Sequence, residues 1–242
     1  MKKLLHYVNP VYNVNVLQSD NGSVSASPIS GTYGTEVTLT NTPDEDYVLD
    51  RYELTGATLY DGNKFKIKKS DVNVQGFFKI PYSVTIGSQI WKSKNLDIDD
   101  GQGGIITQTV NYGQGSVTEY YYTWDAAARV AASVQGWHLP TTAEWDALAN
   151  TVGGSSTAGT YLKSSYGWSS GNGTDDYGFS ALPAGTYLNS FGNFGTAAYF
   201  WTADQISATY GYNRYFATNA SMNSNTSLTK SWKLSVRLIK DD

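Results

Sequence analysis

The start of a helix is encoded by the stretch Gly136-Trp137-His138-Leu139-Pro140-Thr141-Thr142-Ala143-Glu144-Trp145-Asp146-Ala147-Leu148. Thr141 and Glu144 have the spacing of a capping box, in which the threonine hydroxyl accepts from the amide three residues later and the glutamate reaches back to the amide of Thr141. An apolar face follows at helical spacing, formed by Trp145, Leu148 and Ala149. We therefore expect a short helix that begins at Thr141 and packs on a core.

A second short helix is predicted just upstream, where Trp124–Ala132 is rich in alanine and contains neither glycine nor proline. No other segment has a convincing helical pattern, and most of the remaining chain alternates in polarity as strands do. The predicted fold class is therefore α+β, with two short helices in a strand-rich chain.

The composition excludes several classes of function. The 242 residues carry a net charge of −4 and no cysteine, which argues against nucleic-acid binding and excludes disulfides and cysteine-bound metals. With His6 and His138 as the only histidines, we expect no metal centre and no cofactor. No apolar run approaches the roughly 20 residues of a membrane helix, and residues 1–10, an N-terminal extension, lack a signal-peptide core. We expect no membrane insertion and no export signal.

Residues 11–79 are predicted to form a small all-β domain. Period-two alternation indicates strands at Tyr12–Val16 and Glu36–Thr40, and Asn21-Gly22 is typical of a tight hairpin turn between neighbouring strands. Several segments resemble the divergent internalin B-type repeats of bacterial surface proteins, namely Gly22-Ser23-Val24, Ser27-Pro28, Gly34–Thr40, Pro43, Tyr47 and Asp71–Phe78. The resemblance implies a spacer or mounting domain without chemistry of its own.

Residues 80–242 are predicted to form a second domain. In chain order it contains Ile90-Trp91, Lys94-Asn95-Leu96, Tyr122-Thr123-Trp124, Gly136–Pro140, Glu144-Trp145, Leu162-Lys163, Gly167-Trp168, Gly171–Asp175, Tyr177–Pro183, Phe200-Trp201-Thr202 and Ser235-Val236-Arg237. These motifs, in this order, resemble the Fibrobacter succinogenes major paralogous domain. That family has a C-type-lectin-like fold, so the resemblance implies a C-type-lectin-like ligand-binding domain.

Isolated polar residues of this domain are interpreted as structural. His138 precedes a capped helix and Glu144 belongs to the capping box, and neither has a sequence neighbour that would complete a catalytic dyad. The acidic loop Asp97–Gly101 lacks the oxygen ligand that a calcium loop needs at its fifth position. The polar cluster at 172–176 is predicted to cap turns, with a calcium ion near Asp175 as the alternative.

The segment Gln205–Trp232, called the tail below, differs in composition from the rest of the domain. Of its 28 residues, 16 are Ser, Thr, Asn or Tyr, none is acidic, and Arg214 and Lys230 are its only charged residues. Antibody loops use tyrosine among small polar residues in the same way, because the ring gives rigid contact area at low entropic cost. Strand alternation predicts that even-numbered residues of 212–216 face inward and odd-numbered residues of 213–219 face solvent.

The predicted ligand-binding face consists of Tyr210, Tyr212, Asn213, Tyr215, Asn219, Ser221, Asn223, Asn225 and Trp232. Some lectin-fold proteins resembling this one are diversified by retroelements that randomise adenines, mostly at Asn codons. From Ser207 to Thr229, only Met222 lies outside the residues that such codons reach. The tail therefore also fits a hypervariable face.

Together these features predict a non-catalytic adhesin or phage receptor-binding protein, on a virion tail or a bacterial cell surface. Its partner would be a host-surface protein or glycan, and a homo-oligomer is compatible with the sequence. A purely structural subunit, whose tail packs against another copy, is the first alternative. The second is an enzyme: formylglycine-generating enzymes share the lectin-like fold, but their copper chemistry needs cysteines, and a hydrolase built on Asp175 or Asp176 would need a second convergent carboxylate.

Overall fold

The computed structural model describes residues 8–44, 47–79, 81–224 and 228–241. The chain divides into two units, Met1–Pro81 and Tyr82–Asp242. Strands dominate both, which confirms the strand-rich character predicted from the sequence. Within the described ranges, no helix has the length and apolar character needed to cross a membrane.

The N-terminal unit consists of two sheets around one apolar core. Its strands are β1 (Tyr12–Val16), β2 (Gly22–Ser27), β3 (Ser30–Gly31), β4 (Glu36–Pro43), β5 (Val48–Thr55), β6 (Lys64–Lys66) and β7 (Val72–Lys79). One sheet has the order β3-β1-β7-β5, with β1 and β7 parallel, and the other has the order β2-β4-β6. Val14 and Val74 from the first sheet share a buried cluster with Val37, Leu39 and Phe65 from the second, as a two-sheet core requires.

The hairpin predicted at Asn21-Gly22 is wrong, although Asn21 does adopt a positive φ of 63°. Strand β2 pairs with β4, with Gly22 opposite Pro43, whereas β1 pairs with β3 and β7. The Asn21-Gly22 pair correctly predicted a local backbone conformation. It did not predict which strands pair, because strand pairing depends on burying the apolar face of each strand.

The C-terminal unit surrounds its own core with short sheets and helices. Its helices are α1 (Trp124–Ala131), α2 (Thr142–Thr151) and α3 (Ala158–Leu162). Its strands are β8 (Ser83–Ile86), β9 (Gln89–Lys92), β10 (Ile105–Asn111), β11 (Ser116–Tyr122), β12 (Trp137–His138), β13 (Thr186–Leu188), β14 (Ser190–Gly192), β15 (Ala198–Gln205), β16 (Tyr210–Phe216), β17 (Met222–Asn223), β18 (Leu228–Thr229) and β19 (Ile239–Lys240). The sheets are β12-β19-β9-β8 and β15-β16-β17, with β18 also paired to β16, and β10-β11 and β13-β14 form hairpins.

Helix α2 begins as the capping box predicts. Thr141 Oγ1 accepts from the amide of Glu144 at 3.2 Å, and Glu144 Oε2 accepts from the amide of Thr141 at 2.7 Å. Trp145 is fully buried, and its ring centroid lies 4.9 Å from that of Trp91 and 5.4 Å from that of Phe200. The cap and this aromatic cluster together fix α2 against the sheet that contains β15 and β16.

The expectation of only two helices is wrong, because α3 is a third. It has five residues, one of them Gly159, and its N-cap Thr157 makes no side-chain capping bond. A helix this short shows no periodic pattern, and glycine lowers its helical propensity. Ala158 and Leu162 are nevertheless fully buried, so tertiary packing stabilises a turn that local sequence does not encode.

His138 connects the start of α2 to the end of the chain. Its Nδ1 lies 2.6 Å from Asp241 Oδ1, and its Nε2 lies 2.8 Å from Glu144 Oε1. Neither residue was expected to form a dyad with a sequence neighbour, yet folding brings His138 and Glu144, six positions apart, into contact with each other. Partial burial opposes the charged ring, but the hydrogen bonds to Asp241 and Glu144 outweigh it and raise the pKa of His138.

We predict that His138→Gln destabilises the protein more at about pH 5.5 than at about pH 8.5. Because the folded-state pKa is raised, this stabilisation is fully present below the ordinary histidine pKa of about 6.5 and is lost as the pH rises through the folded-state value. The check is the thermal unfolding midpoint of both proteins across this pH range. A midpoint difference that does not change with pH would contradict the ion-pair account.

Candidate recognition surface

Strand β16 carries four of the nine predicted ligand-binding residues, and it is paired along both edges. One edge pairs with β15, where Tyr199 lies opposite Tyr215. The other edge pairs with β17, where Asn223 lies opposite Tyr215, and with β18, where Thr229 lies opposite Tyr210. Most of the predicted residues therefore fall into two groups, one near each end of β16.

The first group, called the β17 patch, comprises Tyr199, Tyr215, Asn219, Ser221 and Asn223. The rings of Tyr199 and Tyr215 are stacked, with centroids 5.0 Å apart and an interplanar angle of 18°. Both tyrosines and Asn223 are partly exposed, and their registered positions put them on one face of the sheet. Asn219 is exposed in the turn before β17, where its Oδ1 accepts from the amide of Ser221 at 3.2 Å. The result is an aromatic platform beside amide and hydroxyl groups.

The second group, called the β18 patch, comprises Tyr210, Thr229 and Trp232. Tyr210 is 38% exposed, and Trp232 is partly exposed with its amide donating to Thr229 O at 3.0 Å. Tyr212 is also partly exposed and lies between the two patches along β16. Asn225, the remaining predicted residue, lies outside the described residues.

Asn213 does not belong to either patch, because it is fully buried. The prediction assumed that one face of β16 is open to solvent, but the middle of the strand is covered on both faces. Arg214 faces α2 and is buried with Phe216, as predicted. On the opposite face, Asn213 is registered with the fully buried Trp201, and Gly211 lies so close to Trp124 that a Cβ there would be 2.6 Å from its ring.

Both charged residues of the tail are paired within the unit. Arg214 Nη2 donates to Asp146 Oδ1 at 2.7 Å. Lys230 Nζ lies 3.8 Å from the ring centroid of Trp124 and donates to Gln205 Oε1 at 2.6 Å. Since the tail contains no acidic residue, the two patches themselves are uncharged.

Main-chain atoms hold the tail on the rest of the unit. The ammonium of Lys163, a residue 1% exposed, donates to the carbonyl oxygens of Ala217 at 3.0 Å and Asn219 at 2.8 Å. The amide of Met222 donates to Ser155 O, in the loop before α3, at 2.8 Å. None of these bonds uses a side chain of the tail.

Close backbone packing at two glycines adds to this attachment. A Cβ at Gly159 would lie 2.8 Å from the carbonyl of Ala220, and one at Gly171 would lie 1.9 Å from Thr218 O. The carbonyl of Gly171 also accepts from the Lys163 ammonium. No other residue type fits such an approach without moving the backbone, so these glycines set the distance between the tail and its support.

The sequence did not predict Thr229 of the β18 patch, Tyr199 of the β17 patch or the supporting residue Lys163. Tyr199 lies upstream of the tail, and only its register with Tyr215 makes it part of the β17 patch. Lys163 belongs to a family motif that by itself assigns it no role. The alternation of Ala198–Thr202 does predict that Tyr199 and Phe200 point to opposite faces of the strand. The sequence does not show that Tyr199 pairs with Tyr215, because that pairing joins two different strands.

The isolated polar residues considered in the sequence, His138, Asp175 and the acidic loop, have structural partners. Both ring nitrogens of His138 are bonded to carboxylates, so neither is free to act as a base on a substrate. Asp175 Oδ1 accepts from the amide of Ser180 at 2.7 Å, which confirms its turn-capping role. Asp100, in the acidic loop, pairs with Arg129 at 2.6 Å. Among the residues that the structure describes, no cluster of three His, Cys, Asp or Glu side chains could hold a metal ion.

Comparison with known families accounts for most of the chain. Residues 12–80 match the divergent InlB B-repeat domain, and residues 84–240 match the Fibrobacter succinogenes major domain. No curated protein and no solved structure matches the chain significantly. The two matches confirm both resemblances and their order. The chain therefore belongs to the Fibrobacter succinogenes major domain family, with a divergent InlB B-repeat domain preceding the family domain.

Proposed function

We propose that this protein is a non-catalytic adhesin or phage receptor-binding protein whose β17 patch binds a host-surface protein or glycan. The observation that carries this proposal is the stacked, partly exposed pair Tyr199–Tyr215 beside Asn223 on a backbone-anchored tail. Tyrosine supplies contact area at low entropic cost, and asparagine and serine supply adaptable hydrogen bonds. The two domain families are consistent with a surface-associated protein, with the N-terminal unit as its mount.

The absence of charge within the β17 patch favours contact with an uncharged partner surface. Burying an unpaired charge in an interface costs several kcal/mol, roughly, whereas hydroxyl and amide groups exchange water for partner hydrogen bonds at much lower cost. Arg214 and Lys230 are already paired inside the unit, so the tail adds no unpaired charge to the interface. This favours recognition by shape and hydrogen bonding over long-range electrostatic attraction.

The tail is attached through main-chain atoms, so the groups that hold it in place differ from the side chains proposed to bind a partner. Lys163 and Ser155 hold carbonyl and amide groups that every residue type except proline possesses. The side chains of Asn219, Ser221 and Asn223 can therefore change without removing these bonds. This arrangement supports retroelement diversification of the tail, for which a template repeat in the neighbouring DNA would be the direct sign.

The proposal also covers the fold, the location and the activity of the protein. The C-terminal unit would have a C-type-lectin-like fold, with short helices flanking sheets that present the tail. The protein would act on a virion tail or a bacterial cell surface, without enzymatic activity and without binding nucleic acid. If the tail instead packs against a second copy, the protein is a structural subunit, and substitutions in the β17 patch would alter its oligomeric state.

We predict that Lys163→Met lowers the free energy of unfolding by about 2–4 kcal/mol, because three main-chain carbonyl groups lose their charge-assisted hydrogen bonds from the buried ammonium. The paired substitution Asn219→Ala with Asn223→Ala should cost less than about 1 kcal/mol, since only local side-chain bonds are lost. Lys94→Met, at an exposed lysine, is the matched control. Urea unfolding of the four proteins measures all three differences. Equal costs for Lys163→Met and the tail pair would contradict main-chain anchoring.

Binding is tested with fluorescently labelled protein on a glycan array and on a panel of bacterial and animal cells. We predict that Tyr215→Ala and Asn223→Lys each weaken binding at least about tenfold, because one removes the aromatic platform and the other adds an unpaired charge beside it. Both variants should keep a folded circular-dichroism spectrum, since both side chains are partly exposed.

Two control variants accompany this binding experiment. Tyr177→Ala removes a tyrosine that is 38% exposed outside the tail, and Asn150→Lys adds a charge on the exposed side of α2. Both should bind as the wild type does. The proposal fails if the β17-patch variants bind like these controls, or if they dissociate an oligomer while the isolated protein binds no surface.

A further inference from the structure

A cavity of about 590 Å³ opens on the C-terminal unit, away from the residues of the two patches. It lies between the β10–β11 hairpin, the segment that follows β9 and the loop around Ser180. Its volume is within the range of roughly 300–1,000 Å³ that is typical of small-molecule sites. The apolar part of its lining includes Leu96, Tyr120, Tyr166 and Leu182.

Two buried charged residues also line this cavity. Glu119 is 3% exposed and Arg237 is 1% exposed. They do not pair directly, because Asn95 lies between them: its Nδ2 donates to Glu119 Oε2 at 2.9 Å, and its Oδ1 accepts from Arg237 Nη2 at 2.9 Å. Tyr112 donates to the other carboxylate oxygen, Glu119 Oε1, at 3.0 Å.

The hydrogen-bonding capacity of these groups decides what the cavity can accept. All five N–H groups of Arg237 already point at oxygens, on Asn95 and on the main chain, so Arg237 has no donor left for an anion. Within the described residues, Glu119 accepts two side-chain hydrogen bonds, whereas a carboxylate can accept about four. At the buried end of the cavity, the Glu119 carboxylate can therefore accept further hydrogen bonds, whereas Arg237 can donate none.

The surrounding charge narrows the ligand further. The guanidinium of Arg237 lies behind Asn95, and Lys94 lines the mouth of the cavity with its ammonium 3.6 Å from the ring centroid of Tyr82. Asp97 also lines the cavity, so its two basic residues, Lys94 and Arg237, are balanced by two acidic ones, Asp97 and Glu119. A charged ligand therefore gains no net attraction that would offset the cost of its desolvation. A neutral donor such as a hydroxyl group avoids that cost, and two adjacent hydroxyls match the two oxygens of a carboxylate.

We infer that this cavity binds a small neutral polyhydroxylated molecule of sugar-like chemistry, with Glu119 accepting from its hydroxyl groups and the tyrosine and leucine walls contacting its apolar faces. This site is separate from the β17 patch, and it does not depend on the function proposed for that patch.

The test is calorimetric titration of the whole protein with glucose, galactose and mannose and with the three corresponding amino sugars, up to roughly 50 mM, which detects millimolar dissociation constants. We expect at least one neutral sugar to bind, and to bind more tightly than its ammonium-bearing counterpart. Glu119→Gln should weaken that binding at least about tenfold, because it removes a charged acceptor. Val117→Trp, at a mouth residue that is 41% exposed, should block the cavity without altering the Glu119–Asn95–Arg237 network.

Ser116→Trp is the matched control, because it adds the same side chain at an exposed neighbouring position that does not line the cavity. It should leave sugar binding unchanged. Three results would overturn the inference: no sugar binds, the amino sugars bind more tightly than the neutral ones, or Val117→Trp binds as the control does.

Discussion

The buried ammonium of Lys163 is the contact on which the position of the tail depends. Taking a lysine out of water costs free energy, and burial accordingly lowers the pKa of this group. Carbonyl groups of Gly171, Ala217 and Asn219 replace the lost water as hydrogen-bond partners. The same bonds join two separate main-chain segments to one side chain. One side chain thus fixes the turn that leads from β16 to β17, whatever side chains that turn carries.

The burial of β16 limits which of the proposed binding residues reach solvent. At the middle of the strand, α2 covers one face and the tryptophans Trp124 and Trp201 cover the other, so Asn213 and Arg214 are buried. The residues of the strand that remain at least partly accessible are Tyr210 and Tyr215 near its ends, with Tyr212 between them. Because the middle is fixed in the core, the tyrosines are held in place, which would reduce the entropic cost of the proposed binding.

Local signals in the sequence predicted local features of the fold. The Thr141–Glu144 capping box, the alanine-rich α1 and the buried face that includes Trp145 were all predictable, because each depends on residues a few positions apart. The hairpin at Asn21-Gly22, helix α3 and the exposure of Asn213 were predicted wrongly, because each depends on packing against distant segments. Alternation along β16 assumed a strand with one solvent face, whereas this one is covered on both faces at its centre.

The same distinction applies to the two candidate sites. The composition of the tail is enough to indicate its tyrosines and asparagines, but it does not indicate Tyr199, whose partner is sixteen residues away on the next strand. Glu119 gave no sequence signal at all, because its relation to Arg237 depends on Asn95 and spans most of the domain. Family motifs contained Lys163, Asn95 and Arg237, yet only the folded structure shows which groups each of them hydrogen-bonds.

The central claim is that the tail backbone is fixed by the domain while its exposed side chains choose the partner. A displayed library randomised at the exposed patch residues, scored separately for protease resistance and for cell-surface binding, tests this claim most directly. We expect most members to resist protease as the wild type does, while binding is lost or redirected. If protease resistance falls in most members along with binding, the exposed side chains are part of the folding core and the claim is contradicted.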